Sequence, residues 1–287
     1  NSGNANACTG EQGMENAHIM AEEVAKNLNI AKESVLVAST GVIGVQLDIE
    51  KVVSGIELAC SKISSSGGED MANAILTTDT FIKTITVEKL IGGKKVKISG
   101  IAKGSGMIHP NMATMLSFIA TNANISKECL NKLFKESVKD SYNMISVDGD
   151  TSTNDMAVIL ANGSANNPPI EEDKEYQKQF KEALDFVNQE LAKMMAKDGE
   201  GATKLIEVSL HNAISKEDAR SIARSVVSSN LVKTAMFGSD ANWGRIICAV
   251  GYADANCDIS NVDILFKNDM GEEKVLENGE PLIFDEG

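Results

Sequence analysis

KGSGMIHPNMATML, at Lys103–Leu116, joins two runs rich in β-branched residues, Lys94–Ile101 and Met115–Thr121, that we predict to be strands. Glycines in such a loop let the backbone approach a ligand closely, and small polar residues present N–H groups that hold anions. A single loop of this kind is usually only a turn. Four more loops of similar composition, each beside a predicted strand or helix, favour one assembled site: Asn1–Gly10 (NSGNANACTG), Ser39–Gly44 (STGVIG), Thr77–Thr80 (TTDT) and Asp148–Asp155 (DGDTSTND).

Helical and strand patterns are mixed along the rest of the chain. Because they do not alternate strictly, we predict an α/β fold of layered α+β type, with helices outside the sheets, rather than a doubly wound parallel sheet. Gly92-Gly93 predicts a hairpin turn. Apolar residues at helical spacing predict helices that begin near Thr9, Asp48, Ser126, Glu171 and Ser215. Further strands are predicted at Ser34–Ala38, Phe81–Glu88, Met156–Ala161, Leu205–Leu210, Ile246–Gly251 and Val262–Phe266.

The chain, at 287 residues, is long enough for two units. The stretch Asn162–Pro169, which contains two asparagines followed by two prolines, is the best candidate linker. The composition also changes near Asp254, which suggests a smaller unit at the C-terminal end. We therefore predict a catalytic α/β domain at 1–165 and a second, smaller α/β region at 166–287 that is incomplete at its C-terminus.

The composition excludes several classes of protein. With 27 Lys and Arg against 41 Asp and Glu, the net charge is −14, which argues against a nucleic-acid or anionic-membrane surface. No apolar run approaches the roughly 20 residues that span a bilayer. The five cysteines are scattered and show no metal-binding spacing, so we expect reduced thiols in a cytoplasmic protein and no metal site.

Conventional catalytic sets are missing from the sequence. A Ser-His-Asp triad would have to use His109, because His18 falls in a helix pattern and His211 at a turn. Lys103 precedes Gly104-Ser105-Gly106, the wrong order for a Walker phosphate loop, and no dinucleotide fingerprint occurs. One solution that needs no histidine, metal or cofactor is a threonine made N-terminal by chain cleavage, whose own α-amino group is the base. That amine titrates near 7.7–8.0, close to neutral pH.

The loop Lys103–Leu116 resembles the self-cleaving segment of the ornithine acetyltransferases, also called glutamate N-acetyltransferases, which are bifunctional enzymes of arginine biosynthesis. The glycine- and hydroxyl-rich loops quoted above also resemble family signatures and occur in family order. The same holds for DGEGATK at Asp198–Lys204 and SDANWGRI at Ser239–Ile246. The resemblance covers nearly the whole chain.

The resemblance implies the layered, DmpA-like fold of an N-terminal-nucleophile enzyme. It further implies self-cleavage between Ala113 and Thr114, which gives an α-chain of residues 1–113 and a β-chain from residue 114. Thr114 would then carry the acetyl group from N-acetylornithine to glutamate by a ping-pong route. Some members also use acetyl-CoA as a donor, and whether this chain does is left open. No cofactor is implied, and two copies of each cleaved chain would form a heterotetramer.

Residue roles follow from matching motif positions. Thr40 and Gly41 match the oxyanion-hole pair, and Thr77, Lys103, Thr114 and Glu200 match substrate-binding positions. The residue types suit an amino-acid substrate, because Lys103 can hold a carboxylate and Glu200 an ammonium. On residue patterns alone, Thr40 could instead be a helix cap, Lys103 a solvated surface charge, and Glu200 a residue that merely follows a helix stop.

Two further expectations concern the whole chain. Family members normally have a segment before NSGNANACTG and a C-terminal segment that contributes two substrate contacts, so this chain is expected to be truncated at both ends. Two alternative functions also stay open. One is an N-terminal-nucleophile amidase or aminopeptidase that gives the acyl group to water, and the other is an unprocessed, inactive scaffold.

Overall fold

The central feature is a four-stranded sheet in the order β3–β4–β5–β6. The computed structural model describes residues 2–109, 115–171 and 173–283, so the predicted cleavage site, Ala113 and Thr114, lies outside the described residues. Strands β3 to β5 are antiparallel neighbours, and β6 runs parallel to β5. The bounds are β3 Lys83–Ile91, β4 Lys94–Lys103, β5 Leu116–Thr121 and β6 Met156–Ala161.

Two helices cover one face of this sheet. Helix α5 (Lys174–Lys197) packs against β3 and β4, and α4 (Lys127–Lys139) packs against α5. The approach of α5 is close, because a Cβ at Gly100 would lie 2.7 Å from Leu191 Cδ1. The shared core is apolar, and its fully buried members from α5 are Phe180, Leu184, Val187, Leu191 and Met195. The layered α/β prediction is therefore confirmed.

The N-terminal part contains a small parallel sheet and two paired helices. Strand β1 (Ser2–Asn4) pairs with β2 (Ser39–Val42), and α1 (Gly10–Leu28) contacts α2 (Ile49–Ser61). Asp48 caps α2 as predicted, because its carboxylate accepts a hydrogen bond from the Lys51 amide. A shorter helix, α3 (Gly68–Ala74), follows.

The C-terminal part begins with three helices and ends in a small antiparallel sheet. The helices are α6 (Lys216–Ser228), α7 (Asn230–Phe237) and α8 (Trp243–Gly251), and the strands are β7 (Ile264–Asn268), β8 (Gly271–Glu277) and β9 (Glu280–Pro281). Whether the chain divides into two domains at residue 165, a position in the loop between β6 and α5, stays a prediction. None of the helices in the described ranges is both long and apolar enough to span a bilayer.

Three predicted strands are wrong. Ile246–Gly251 lies in α8, because the side chain of Asn242 caps that helix at the Arg245 amide and its apolar residues pack at helical spacing. Ser34–Ala38 begins at the last residue of a single 3-10 turn, Lys32–Ser34, and the strand starts only at Ser39. Leu205–Leu210 pairs with no strand in the described parts of the chain.

Candidate active site

The first residues of β5 are the point on which the predicted site residues converge. Lys103, the last residue of β4, is paired with Leu116 across the antiparallel ladder. The amide of the buried Met115 donates a 2.9 Å hydrogen bond to Asp155 Oδ1. Because β6 is parallel to β5 and pairs Met156 with Leu116, the loop before β6 reaches the same end of the sheet. Thr114 immediately precedes this point in the sequence.

Asp155 presents an unused acceptor at this position. Its second carboxylate oxygen, Oδ2, is buried and has no hydrogen-bond partner among the described residues. Burial raises the pKa of Asp155 to about 7, although the Met115 amide and the Lys103 ammonium both act to lower it. Nothing local in DGDTSTND marks Asp155 as different from the other acidic residues of that loop, so its sequence predicts no role for it.

Strand β2 brings Thr40 and Gly41 to the same region. The Ser39 hydroxyl accepts hydrogen bonds from the Asn6 amide at 3.0 Å and from Asn154 Nδ2 at 2.9 Å, so β2 is tied to the residue beside Asp155. Thr40 is 2% exposed. Its hydroxyl has no partner within the described part of the chain, although leaving a buried hydroxyl unpaired costs about 1–3 kcal/mol.

Gly41 occupies a backbone position that only glycine fits well. Its φ is +126°, and a Cβ there would lie 2.4 Å from the Gly3 carbonyl oxygen on β1. Thr40 lies inside a strand, so the helix-cap interpretation of that residue is wrong. The buried Thr40 hydroxyl is a donor without a partner among the described residues, and the oxyanion-hole role of Thr40 and Gly41 stays a prediction.

Lys103 is a buried cation. It is only 2% exposed, so the interpretation as a solvated surface charge is wrong. Its Nζ lies 3.9 Å from Asp79 Oδ2. Burial lowers the pKa of Lys103, and the Asp79 carboxylate opposes this shift, as do Glu200 and Asp155 more weakly. Lys103 is thus a buried cation beside carboxylates.

Glu200 lies two residues beyond Asp198, the C-cap of α5, and its carboxylate is directed at the Lys103 loop. The Glu200 amide donates to the Ser105 carbonyl at 2.9 Å, and a Cβ at Gly106 would lie 2.5 Å from Glu200 Cδ. Glu200 does follow the end of a helix, as the helix-stop interpretation states. Its side chain is also exposed and lies beside Lys103. An ammonium and a carboxylate at one site match the two charged groups of an amino acid.

Glu200 also lines a cavity of about 640 Å³ between α5, the 203–208 segment and α7. The described lining of this cavity includes Glu200 but not Thr40, Thr77 or Lys103. Among these four residues, Glu200 alone lines the cavity. The candidate site is therefore defined by its side-chain contacts and not by the cavity.

Thr77 is exposed in a loop that is tied to the Lys103 loop. Its amide donates to Asp79 Oδ2 at 3.2 Å, and the hydroxyls of Thr78 and Ser105 share a hydrogen bond of 2.8 Å. The structure therefore brings Thr77, Lys103 and Glu200 together, as the sequence resemblance implies. Their individual roles stay predictions.

A buried ion cluster beneath these residues was missed by sequence reasoning. Lys83 Nζ lies 2.7 Å from Asp79 Oδ1 and 2.5 Å from Asp198 Oδ2, and all three side chains are almost completely buried. Lys83 and Asp198 are separated by 115 positions in the sequence. A local motif search has no signal for such a contact; the only hint was that both aspartates belong to quoted family segments.

His109, the histidine considered for a Ser-His-Asp triad, contacts a serine and an arginine. Its Nδ1 lies 3.0 Å from Ser146 Oγ and its Nε2 lies 3.3 Å from a guanidinium nitrogen of Arg224. Burial, with the nearby Arg224 and Lys233 cations, lowers the pKa of His109. Within the described ranges, no group of three or more His, Cys, Asp or Glu residues could hold a metal ion.

The layered α/β fold, with these polar segments at the head of β5, defines an enzyme of the N-terminal-nucleophile class. The ArgJ family model matches residues 1–287, and the chain belongs to the ArgJ family. The Arginine biosynthesis bifunctional protein ArgJ of Caldanaerobacter subterraneus subsp. tengcongensis is 58% identical over 286 residues, which cover 100% of this chain and 71% of that protein. ArgJ 1 of Clostridium acetobutylicum is 60% identical over 286 residues, with coverage of 100% and 70%.

A solved structure is also similar. The crystal structure of the Arginine biosynthesis bifunctional protein ArgJ from Bacillus halodurans aligns with a TM-score of 0.55 and 41% sequence identity. The alignment covers 59% of this chain and 78% of that chain. Sequence and fold therefore agree on the family.

Proposed function

We propose that this protein is an acyltransferase of arginine biosynthesis that moves an acetyl group from N-acetylornithine to glutamate through an acetyl-Thr114 intermediate. Membership of the ArgJ family and the names of the relatives support the reaction class. The observation that supports the site assignment is that Asp155 and Lys103 contact the two residues that follow Thr114, while Asn154, beside Asp155, is bonded to Ser39, the neighbour of Thr40.

Maturation comes before the first half-reaction. Thr114 Oγ attacks the Ala113 carbonyl, the peptide bond is exchanged for an ester, and water hydrolyses the ester to free the Thr114 α-amine. That amine then takes the proton from Thr114 Oγ as the oxygen attacks the acetyl carbonyl of N-acetylornithine. The Thr40 hydroxyl and the Gly41 amide donate to the oxyanion. The C–N bond breaks, ornithine leaves with the proton, and the acetyl group stays on Thr114.

The second half-reaction reverses these steps with glutamate. Its amine attacks the acetyl ester, the oxyanion forms in the same place, and Thr114 Oγ leaves and recovers a proton. Lys103 holds the α-carboxylate of either amino acid and Glu200 the side-chain ammonium of ornithine, while Thr77 contributes a polar contact. Acetyl-CoA as a second donor and a tetramer of two α- and two β-chains belong to the same proposal.

The test combines intact mass with an acetyl-transfer assay. Under denaturing conditions the protein should give two species that sum to the full chain plus one water, the larger one beginning at Thr114. With isotope-labelled N-acetylornithine, label should appear in glutamate and transiently on the larger species. Thr114→Ala should stay uncut and inactive. Label released as free acetate, whether or not glutamate is present, would favour the amidase instead, and an uncut, inactive parent would favour the scaffold.

A further inference from the structure

The buried cluster of Lys83, Asp79 and Asp198 connects the three segments that carry the substrate-binding residues. Asp79 Oδ1 accepts from Lys83 Nζ and, at 2.6 Å, from the Gly104 amide next to Lys103. Asp79 Oδ2 accepts from the Thr77 amide and faces Lys103 Nζ. One carboxylate thus ties the backbone that follows Lys103 to the loop that carries Thr77.

Asp198 performs the same task for the Glu200 segment. Its Oδ2 accepts from Lys83 Nζ and, at 3.0 Å, from the Thr80 amide, and its Oδ1 accepts from the Thr80 hydroxyl. Because Asp198 ends α5 only two residues before Glu200, its position sets where Glu200 leaves the helix. Lys83 is the first residue of β3, and its ammonium joins Asp79 to Asp198.

Stability alone does not account for this arrangement. Burying three charges has a large desolvation cost, and buried ion clusters are often replaceable by apolar residues without loss of stability. The charges do balance locally, because Asp79 and Asp198 face Lys83 and Lys103. Burial alone would raise the pKa of both aspartates, but their hydrogen bonds from Lys83 and neighbouring backbone amides hold each pKa below its usual value. Both carboxylates are therefore charged when the site is working.

We infer that Lys83 is a positioning residue that sets the separation of Lys103 and Glu200, and hence the fit between them of a substrate with a carboxylate and a side-chain ammonium. This inference rests on the proposed function, because it takes Lys103 and Glu200 as the groups that hold the substrate. Lys83 itself touches no substrate. The Thr40–Gly41 segment is on β2 and has no described hydrogen bond to Asp79, Lys83 or Asp198, so the chemical step is expected to be less sensitive.

The test compares Lys83→Met with Lys89→Met in the acetyl-transfer assay. Lys89 is a matched control, because it lies on the same face of β3 but forms only an exposed pair with Glu182. Lys83→Met should raise the KM for glutamate and N-acetylornithine at least tenfold and change kcat less than threefold. Lys89→Met should leave both constants within twofold of the parent values.

A charge-balanced variant separates positioning from simple destabilisation. Lys83→Met leaves two buried carboxylates facing each other, and Lys83→Met/Asp198→Asn removes one of those charges. The double variant should recover thermal stability relative to Lys83→Met, while its KM should stay raised because the tie to Glu200 is gone. If the double variant recovers the parent KM as well as the stability, or if folded Lys83→Met has a parent KM, the inference is wrong.

The outcome is distinguishable from failure of the proposed function. If the parent transfers no acetyl group, or if Lys103→Met and Glu200→Gln do not alter KM, the substrate-binding roles fail. If those two variants raise KM but Lys83→Met does not, the roles stand and only the positioning role of Lys83 fails.

Discussion

The side-chain amide of Asn154 donates a 2.9 Å hydrogen bond to the hydroxyl of Ser39, 115 positions earlier in the chain. Asn154 precedes the carboxylate that holds the Met115 amide, and Ser39 precedes the buried Thr40 hydroxyl. This one contact therefore joins the small N-terminal sheet to the head of β5. It places the predicted oxyanion-hole segment on β2 at the same end of the sheet as Met115, the residue that follows the predicted nucleophile in the sequence.

Thr40→Val should slow acetyl transfer while the protein stays folded. The substitution keeps the shape of the side chain and removes a hydroxyl that has no partner in the described structure. Loss of one oxyanion donor typically lowers kcat by about 100- to 1000-fold, so we expect that range with KM changed only slightly. Thr40→Ser keeps the donor and is the control. Steady-state kinetics on both variants make the comparison, and an undiminished kcat in Thr40→Val would remove the residue from the oxyanion hole.

Gly41→Ala should destabilise the protein more than Gly44→Ala does. Both glycines have positive φ, +126° and +78°, but only a Cβ at Gly41 would collide with the Gly3 carbonyl oxygen, whereas the space around Gly44 is open. A strained backbone position costs about 1–3 kcal/mol, and the collision adds to this at Gly41. Urea denaturation measures both variants. Equal losses of stability would mean that β1 shifts without a free-energy cost and that the close approach of Gly41 to Gly3 does not matter for stability.

Asp155→Asn should change how stability depends on pH. The folded-state pKa of Asp155, about 7, lies above its ordinary value of 3.8, so the folded protein binds the proton more tightly than the unfolded chain. The stability from this group is complete below pH 3.8 and is lost as the pH rises to about 7. Relative to the parent, Asp155→Asn should therefore gain about 1–2 kcal/mol between pH 4 and pH 8, after allowance for solvent screening.

The control for that experiment is Asp150→Asn, which changes an exposed carboxylate of the same loop. It should leave the pH dependence of the free energy of unfolding as it is in the parent. Parallel curves for Asp155→Asn and the parent from pH 4 to pH 8 would show that the Asp155 carboxylate is not protonated preferentially in the folded state.

Lys103→Met should weaken the binding of both amino acids, because it removes the ammonium that we assign to their carboxylates. Charge-assisted hydrogen bonds contribute about 1.5–3 kcal/mol, which corresponds to an increase in KM of roughly 10- to 150-fold. Lys97→Met, on an exposed position of β4, should have no such effect. Glu200→Gln should raise the KM for N-acetylornithine in the same way. Binding of glutamate to Lys103→Met with unchanged affinity, measured by calorimetry, would contradict the assignment.

The sequence predicts elements well where caps and apolar periodicity agree. Strand β6 has the predicted bounds, and α4 follows its Ser126 cap. The β-branched residues of Ile246–Gly251 mislead because they are equally suited to a helix that is apolar on one side, and the deciding cap at Asn242 was not considered. Elements are local properties, so local patterns recover most of them.

The site was predictable only as far as its motifs go. The resemblance named Thr40, Lys103 and Glu200, and the structure places Lys103 beside Glu200 and Thr40 at the same end of the sheet. The resemblance could not show that Lys83 joins Asp79 to Asp198, because a lysine in a strand looks like any exposed residue until its long-range partners are known. The unpaired oxygen of Asp155 is likewise a property of packing, and no spacing rule reveals it.

A cut between Ala113 and Thr114 would leave β3 and β4 on one polypeptide and β5 and β6 on the other. The ladder from Ile98–Thr121 to Lys103–Leu116 then holds two molecules together through the middle of a sheet. Refolding of the cleaved protein would then be a second-order reaction, and the midpoint of its unfolding transition would shift with protein concentration. An uncut Thr114→Ala chain would refold at a rate independent of concentration. Cleavage at this position would therefore exchange a unimolecular folding reaction for a bimolecular one, and the cleaved enzyme would depend on having folded before it was cut.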